Sequence, residues 1–147
     1  MRDTGWHFEG VGLSRIGGAT AVALGPTVTP AGTIAMVSGD AAVRQAILML
    51  LTTIPGERVM RPDYGCPLHR LAFAVNDATT AGLAIHYVRK ALERWEPRID
   101  VVRLDAGSRS GESGGDPYLV IELDYVVRAT SRRDSLEMQL NLMGEAI

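Results

Sequence analysis

Apolar and polar positions along this chain fall into two helical periods followed by strand-like alternation. Val43, Ile47, Leu50, Leu51 and Ile54 recur every three or four positions, which places them on one face of an α-helix expected over about 41–53. Asp40 precedes them as the expected N-cap, with a carboxylate able to accept the unpaired amide hydrogens of a first turn. Pro55 lacks an amide hydrogen and biases Ile54 away from helical angles, and Gly56 permits the turn that follows. Asp77, or Asn76, caps a longer helix in which Ala81, Ala84, Ile85, Val88, Ala91, Leu92 and Trp95 make one stripe, with Arg89, Lys90, Glu93 and Arg94 mostly outside it. Pro97 ends this second helix.

The remaining pattern is extended. Residues 33–37 form a short β-prone run, expected as an edge strand, and 99–104 read as a strand leaving the Pro97 corner. Leu119, Ile121, Leu123, Tyr125 and Val127 alternate with their neighbours, as do Leu136, Met138, Leu140 and Leu142, and the polar turn at 130–134 between them predicts an antiparallel hairpin. Cys66 to Leu71, with Pro67 near the start, predicts a short connector helix, and the Gly- and Ser-rich 106–117 predicts a solvated loop. Residues 1–32 hold seven glycines and two prolines without a sustained period. They read as an extended arm that either trails free or straps onto a neighbour through Trp6, Phe8, Val11 and Leu13. The expected architecture is α+β: two main helices packed on a small, largely antiparallel sheet with a C-terminal β-hairpin, a single domain over 33–147 following the arm at 1–32.

Composition narrows the function. A chain of 147 residues with 46% hydrophobic and 22% charged residues fits one globular domain, and a net charge of -2 lacks the basic excess of a phosphate-driven nucleic-acid binder. The single cysteine, Cys66, cannot form an internal disulfide, and the N-terminus shows no apolar leader, so synthesis in the reducing cytosol is expected. The longest apolar run, 46–51, is far short of the ~20 residues of a membrane span. Neither a metal nor a cofactor is expected, because His7, His69 and His86 lie in separate segments without ligand spacing.

Candidate chemistry sits at two junctions. In 52–65, Gly56, Glu57, Arg58, Arg61, Pro62, Asp63 and Gly65 place guanidinium groups and carboxylates on irregular backbone. In the Glu96-Pro97-Arg98 corner an acid and a forked donor either pair with each other or reach a partner. Glu57 with Asp63 as the acid and base of a glycosidase would need one raised carboxyl pKa, and Arg58 and Arg61 beside them act in the opposite direction. A small ligand held in the 56–65 turn is a further reading. Cys66, without a His or Asp companion in sequence and followed by Pro67, reads as a packed side chain.

Taken together, Ile47-Leu48-Met49-Leu50-Leu51-Thr52-Thr53, Pro55-Gly56-Glu57-Arg58, Met60-Arg61-Pro62-Asp63-Tyr64-Gly65-Cys66-Pro67-Leu68, Phe73 and Trp95-Glu96-Pro97-Arg98-Ile99 resemble, in order and spacing, the lysozyme-like baseplate wedge family of contractile phage tails, type VI secretion baseplates and extracellular contractile injection systems. The resemblance implies a noncatalytic assembly protein between the baseplate and the first sheath ring, present in six symmetry-related copies. It also implies contacts to the sheath protein, to other wedge subunits and to the inner tube or hub, within a phage-tail-like particle that is either retained or released from the cell. By resemblance, Glu96, Pro97 and Arg98 occupy the family's Glu-Pro-Arg motif, Gly56, Glu57, Arg58, Arg61, Pro62 and Gly65 contact partners, and the hairpin bearing Leu136, Met138, Leu140 and Leu142 pairs with sheath strands. A peptidoglycan hydrolase is the alternative that the family's lysozyme-like label raises.

Overall fold

The computed structural model describes residues 4–6, 8–9, 25–26, 28–109 and 115–143. In chain order the elements are β1 (Thr4–Trp6), β2 (Phe8–Glu9), β3 (Gly25–Pro26), β4 (Met36–Ser38), α1 (Asp40–Thr52), a 3-10 helix (Pro67–Leu71), α2 (Ala78–Trp95), β5 (Ile99–Ser108), β6 (Tyr118–Val127) and β7 (Arg132–Asn141). The three long strands form an antiparallel sheet in the order β5-β6-β7, while β1 pairs with β4 and β2 with β3 as two small ribbons. The fold is thus the expected α+β arrangement of two helices on an antiparallel sheet. Of the proposed arm anchors, Val11, Leu13 and the side chains of Trp6 and Phe8 lie outside the described residues.

Both helices bury the stripes that their periods predict. Val43, Ile47, Leu50 and Leu51 of α1 and Ala81, Ala84, Val88, Ala91 and Leu92 of α2 join Leu119, Ile121, Leu123, Tyr125, Val127 and Leu136 of the sheet in one core. Removing such side chains from water is the dominant stabilising term of a domain this size. Ile54 departs from the expectation: it lies past the helix end and is partly exposed. The cap of α1 is displaced by one residue, because Gly39 occupies the N-cap and Asp40 is the first helical residue. Asp40 instead accepts a hydrogen bond from Thr130 Oγ1 at 3.0 Å and faces Arg132 at 3.8 Å, so the hairpin turn takes the carboxylate that a cap would have used. At α2 the cap is Asp77, which accepts from the Thr80 amide at 2.8 Å, and that bond holds its carboxyl below the usual range.

Strand limits also move. The edge strand expected at 33–37 is β4, Met36–Ser38, because pairing with Thr4–Trp6 decides the span rather than local β-propensity. β5 extends to Ser108, into the segment read as loop, since Gly107 and Ser108 pair with Val120 and Leu119 through backbone groups that do not depend on side-chain polarity. A bulge between Val101 and Arg103 leaves Val102 unpaired and half-exposed. The hairpin turn is shorter than expected, with Arg132, Arg133 and Asp134 already in β7 opposite Val127, Val126 and Tyr125.

Candidate functional site

Loop 54–66 and the corner after α2, separated by about thirty residues, meet in space. The loop begins where Thr52 and Thr53 hydroxyls donate to the carbonyls of Leu48 and Met49, which closes the last turn of α1. It is then stitched across its base: Gly56 N–H donates to Pro62 O (2.8 Å), Cys66 N–H to Thr53 O (3.0 Å) and Ile54 N–H to Glu57 Oε2 (3.0 Å). Gly56 has φ 99°, a region that side chains avoid. Gly65 is more constrained, because a Cβ there would stand 2.5 Å from the carbonyl oxygen of Thr53. These two glycines let the loop turn back closely on the end of α1 while its tip points away.

Aromatic side chains join loop to helix. The Tyr64 ring meets Trp95 edge-on with centroids 5.4 Å apart, the Arg58 guanidinium lies 4.4 Å over Tyr64, and Arg94 and Arg61 lie 4.9 and 6.0 Å over Trp95. Each such cation–π contact contributes about 0.5–1 kcal/mol at an exposed site. Asp63 accepts a hydrogen bond from Arg94 at 3.3 Å. Burial pushes the Tyr64 hydroxyl pKa up, Arg58 opposes the shift, Glu96 reinforces it and Arg98 opposes it. At the tip Val59 and Met60 are 94% and 91% exposed.

In the Glu96-Pro97-Arg98 corner the acid is buried, Pro97 is exposed and Arg98 is half-buried. Glu96 is 5% exposed, and its two oxygens accept from Arg98 Nε at 2.6 Å and Arg98 Nη2 at 2.8 Å. The Glu96 amide donates to Leu92 O, and Arg98 O accepts from the Arg128 amide, so the pair braces the passage from α2 into the sheet. Within this chain the acid and the fork pair with each other. A cleft of about 470 Å³ lies beside the corner, with Leu92, Pro97, Ile99 and Val101 among its walls. Neither Glu57 nor Asp63 lines it.

On the hairpin, Leu136 and Leu142 are buried and Met138 and Leu140 pack against the core, so these side chains face inward and any partner would meet the backbone edge. β7 is the outer strand. The Ser135 amide donates to Asp134 Oδ1 and its carbonyl accepts from Arg44 Nη1, so both groups point away from β6. By the two-residue alternation of an antiparallel ladder, the backbone groups of Glu137 and Gln139 point outward too. Arg44 also donates to Asp134 Oδ2 (2.9 Å), which accepts from Tyr125 OH (2.9 Å). Burial raises the Asp134 carboxyl pKa, but Tyr125, Arg44 and the Ser135 amide outweigh it and hold the group below its ordinary value. Burial and the Asp134 bond push the Tyr125 hydroxyl up.

Sequence reading missed several of these supports. Arg44, Tyr125 and Asp134 are joined across roughly 90 residues of chain, and no local motif announces that. Asn76 is buried and donates to the carbonyls of Asp116 and Tyr118 at 3.0 Å each, tying the start of α2 to β6; its place beside the cap residue was the available signal. Cys66 is buried, and burial pushes its thiol up to about 12, the wrong direction for a nucleophile. Among the described residues no group of His, Cys, Asp and Glu could hold a metal ion, and no helix is long and apolar enough to cross a membrane.

Residues 37–132 match the family described as baseplate wedge protein gp25. A crystal structure described as a tail lysozyme from Geobacter sulfurreducens is 40% identical, with 74% of this chain and 96% of that chain covered at a TM-score of 0.63. A chain of the anti-feeding prophage baseplate is 21% identical over 80% of each chain, with a TM-score of 0.56. A chain of a type VI secretion baseplate complex is 19% identical, with 69% of this chain and 91% of that one covered at 0.50. At these lower identities the likeness is one of fold. No curated protein matches the chain.

Proposed function

The chain belongs to the baseplate wedge protein gp25 family, and from that premise we propose that this wedge protein joins the baseplate of a contractile, phage-tail-like machine to its first sheath ring and templates sheath assembly. The observation that carries the reading is the outer edge of β7, where the amide and carbonyl groups of Glu137 and Gln139 point away from β6. Among the described residues no strand pairs with this edge, and an edge of this kind accepts a strand from another chain through main-chain hydrogen bonds. Six copies around the tail axis would offer six such edges to a sheath ring. The loop at 54–66 and the α2 corner supply a second surface for other wedge subunits or the hub.

Hydrolysis is the weaker reading, although a 40% identical neighbour carries lysozyme in its description. In this chain Glu57 accepts the Ile54 amide and Asp63 pairs with Arg94, and the cleft beside the α2 corner contains neither.

The test is electron microscopy of particles from a strain lacking this gene, complemented with Gln139→Pro. Proline there removes an outward amide hydrogen and leaves the β6–β7 ladder intact, so a folded protein with bare, sheathless baseplates is expected. Proline at Met138 or Leu140 would remove inward ladder donors and break the domain itself. Fully sheathed particles carrying folded Gln139→Pro protein would overturn the edge assignment.

A further inference from the structure

The loop at 54–66 is built to project, and what it projects has a definite chemistry. Val59 and Met60 at its tip are almost wholly in water, although the loop beneath them is held by five backbone hydrogen bonds, from Gly56 to Pro62, Glu57 to Ile54, Arg61 to Arg58, Tyr64 to Arg61 and Cys66 to Thr53. Two adjacent large apolar side chains on a rigid, solvent-facing loop mark an interaction surface rather than a by-product of core packing. Arg58 and Arg61 flank them, with their guanidinium carbons 4.4 Å from the Tyr64 centroid and 6.0 Å from the Trp95 centroid. A guanidinium held over a ring has lost part of its side-chain freedom before a partner arrives.

We propose that this tip docks an acidic segment of another baseplate protein, with Val59 and Met60 entering an apolar socket and Arg58 and Arg61 each taking a carboxylate from its rim. The inference rests on the wedge reading and adds the chemistry of the partner to it. Charge complementarity selects the occupant. Among the described residues, Arg58 and Arg61 make no ion pair with a carboxylate of their own chain, whereas Arg94 and Arg98 do. Nucleic acid fits less well, because the aromatic faces on which bases would stack are covered by arginine.

The experiment places the photo-crosslinking residue p-benzoyl-phenylalanine at position 60 of the full chain and irradiates intact sheathed particles. The expected adduct is one peptide of another baseplate protein carrying at least two Asp or Glu close to the crosslink. Arg58→Glu with Arg61→Glu should lower its yield about tenfold, and Lys in place of the partner's carboxylates should restore it. Since reversal of Arg58 also removes its contact with Tyr64, Val59→Asp serves as a second variant, which repels the acidic segment from a side chain in water. An adduct to nucleic acid, an adduct to a peptide without acidic residues, or no adduct in particles that contain the protein would overturn the proposal. Failure of the wedge reading is separate, and would appear as normal sheathed particles in the strain lacking the gene.

Discussion

The corner at 96–98 and the loop at 54–66 touch through Tyr64 and Trp95, yet they spend their charges in opposite ways. Glu96 and Arg98 are bound to each other by two short hydrogen bonds, with the carboxylate out of water. Arg58 and Arg61 lie over the same aromatic pair, 4.4 Å from the Tyr64 centroid and 6.0 Å from the Trp95 centroid, and among the described residues neither makes an ion pair. Removing the buried Glu96 carboxylate is costly, because two charge-assisted hydrogen bonds go with it, whereas an exposed arginine can be exchanged with little effect on folding. The corner therefore sets where the loop sits, and the loop makes the surface. A substitution at the corner that abolishes assembly would reach assembly through the fold as well as through any contact.

This contrast can be broken by measurement. Glu96→Ala should cost about 3 kcal/mol of stability in urea denaturation, since it removes two charge-assisted hydrogen bonds and empties a buried site; a loss below about 0.5 kcal/mol would mean that the pair does not brace the corner. Gly65→Ala comes next, with about 2 kcal/mol lost and the Tyr64–Trp95 contact disturbed, because its Cβ collides with the Thr53 carbonyl. Near-ultraviolet circular dichroism of Trp95 and Tyr64 would register that disturbance, and an unchanged spectrum would count against the close approach. Tyr125→Phe should cost about 1 kcal/mol by removing one donor to Asp134.

The Asp134 clasp also carries a pH dependence. Its carboxyl pKa lies lower in the fold than in the open chain, so its contribution is fully present above about pH 4 and is lost as pH falls through the folded value. Acid titration of wild type against Asp134→Asn should show the two stabilities converging below that point. The smallest effect is expected at the tip: Val59→Ser with Met60→Ser should change stability by less than about 0.5 kcal/mol while assembly is lost. A double variant that assembles normally would remove the tip from function.

Much of this organisation was legible in the chain. The helices, their stripes and the hairpin followed from period alone, because each element buries one face. Harder to read were features decided by partners distant in sequence. β5 reaches Ser108 because β6 is there to pair with it, and Asp40 leaves its capping role because Thr130 and Arg132 approach. The motif residues at 56–65 and 96–98 were identifiable, but their direction was not: sequence spacing does not tell an arginine paired with its neighbour from one laid on a ring. Leu136, Met138 and Leu140 illustrate the same limit, since alternation finds the strand but does not say that these side chains serve the core and leave the backbone edge for the proposed partner.

The unbroken pairing of β6 with β7, from Tyr118 opposite Asn141 to Val127 opposite Arg132, has a mechanical meaning. A pull directed along β7 loads every rung of that ladder together in shear, and the rungs must fail almost simultaneously. The same pull directed across the sheet would peel them one at a time. A strand docked lengthwise on the β7 edge would deliver tension along the resistant direction, and the clasp from Arg44 would carry part of it into α1.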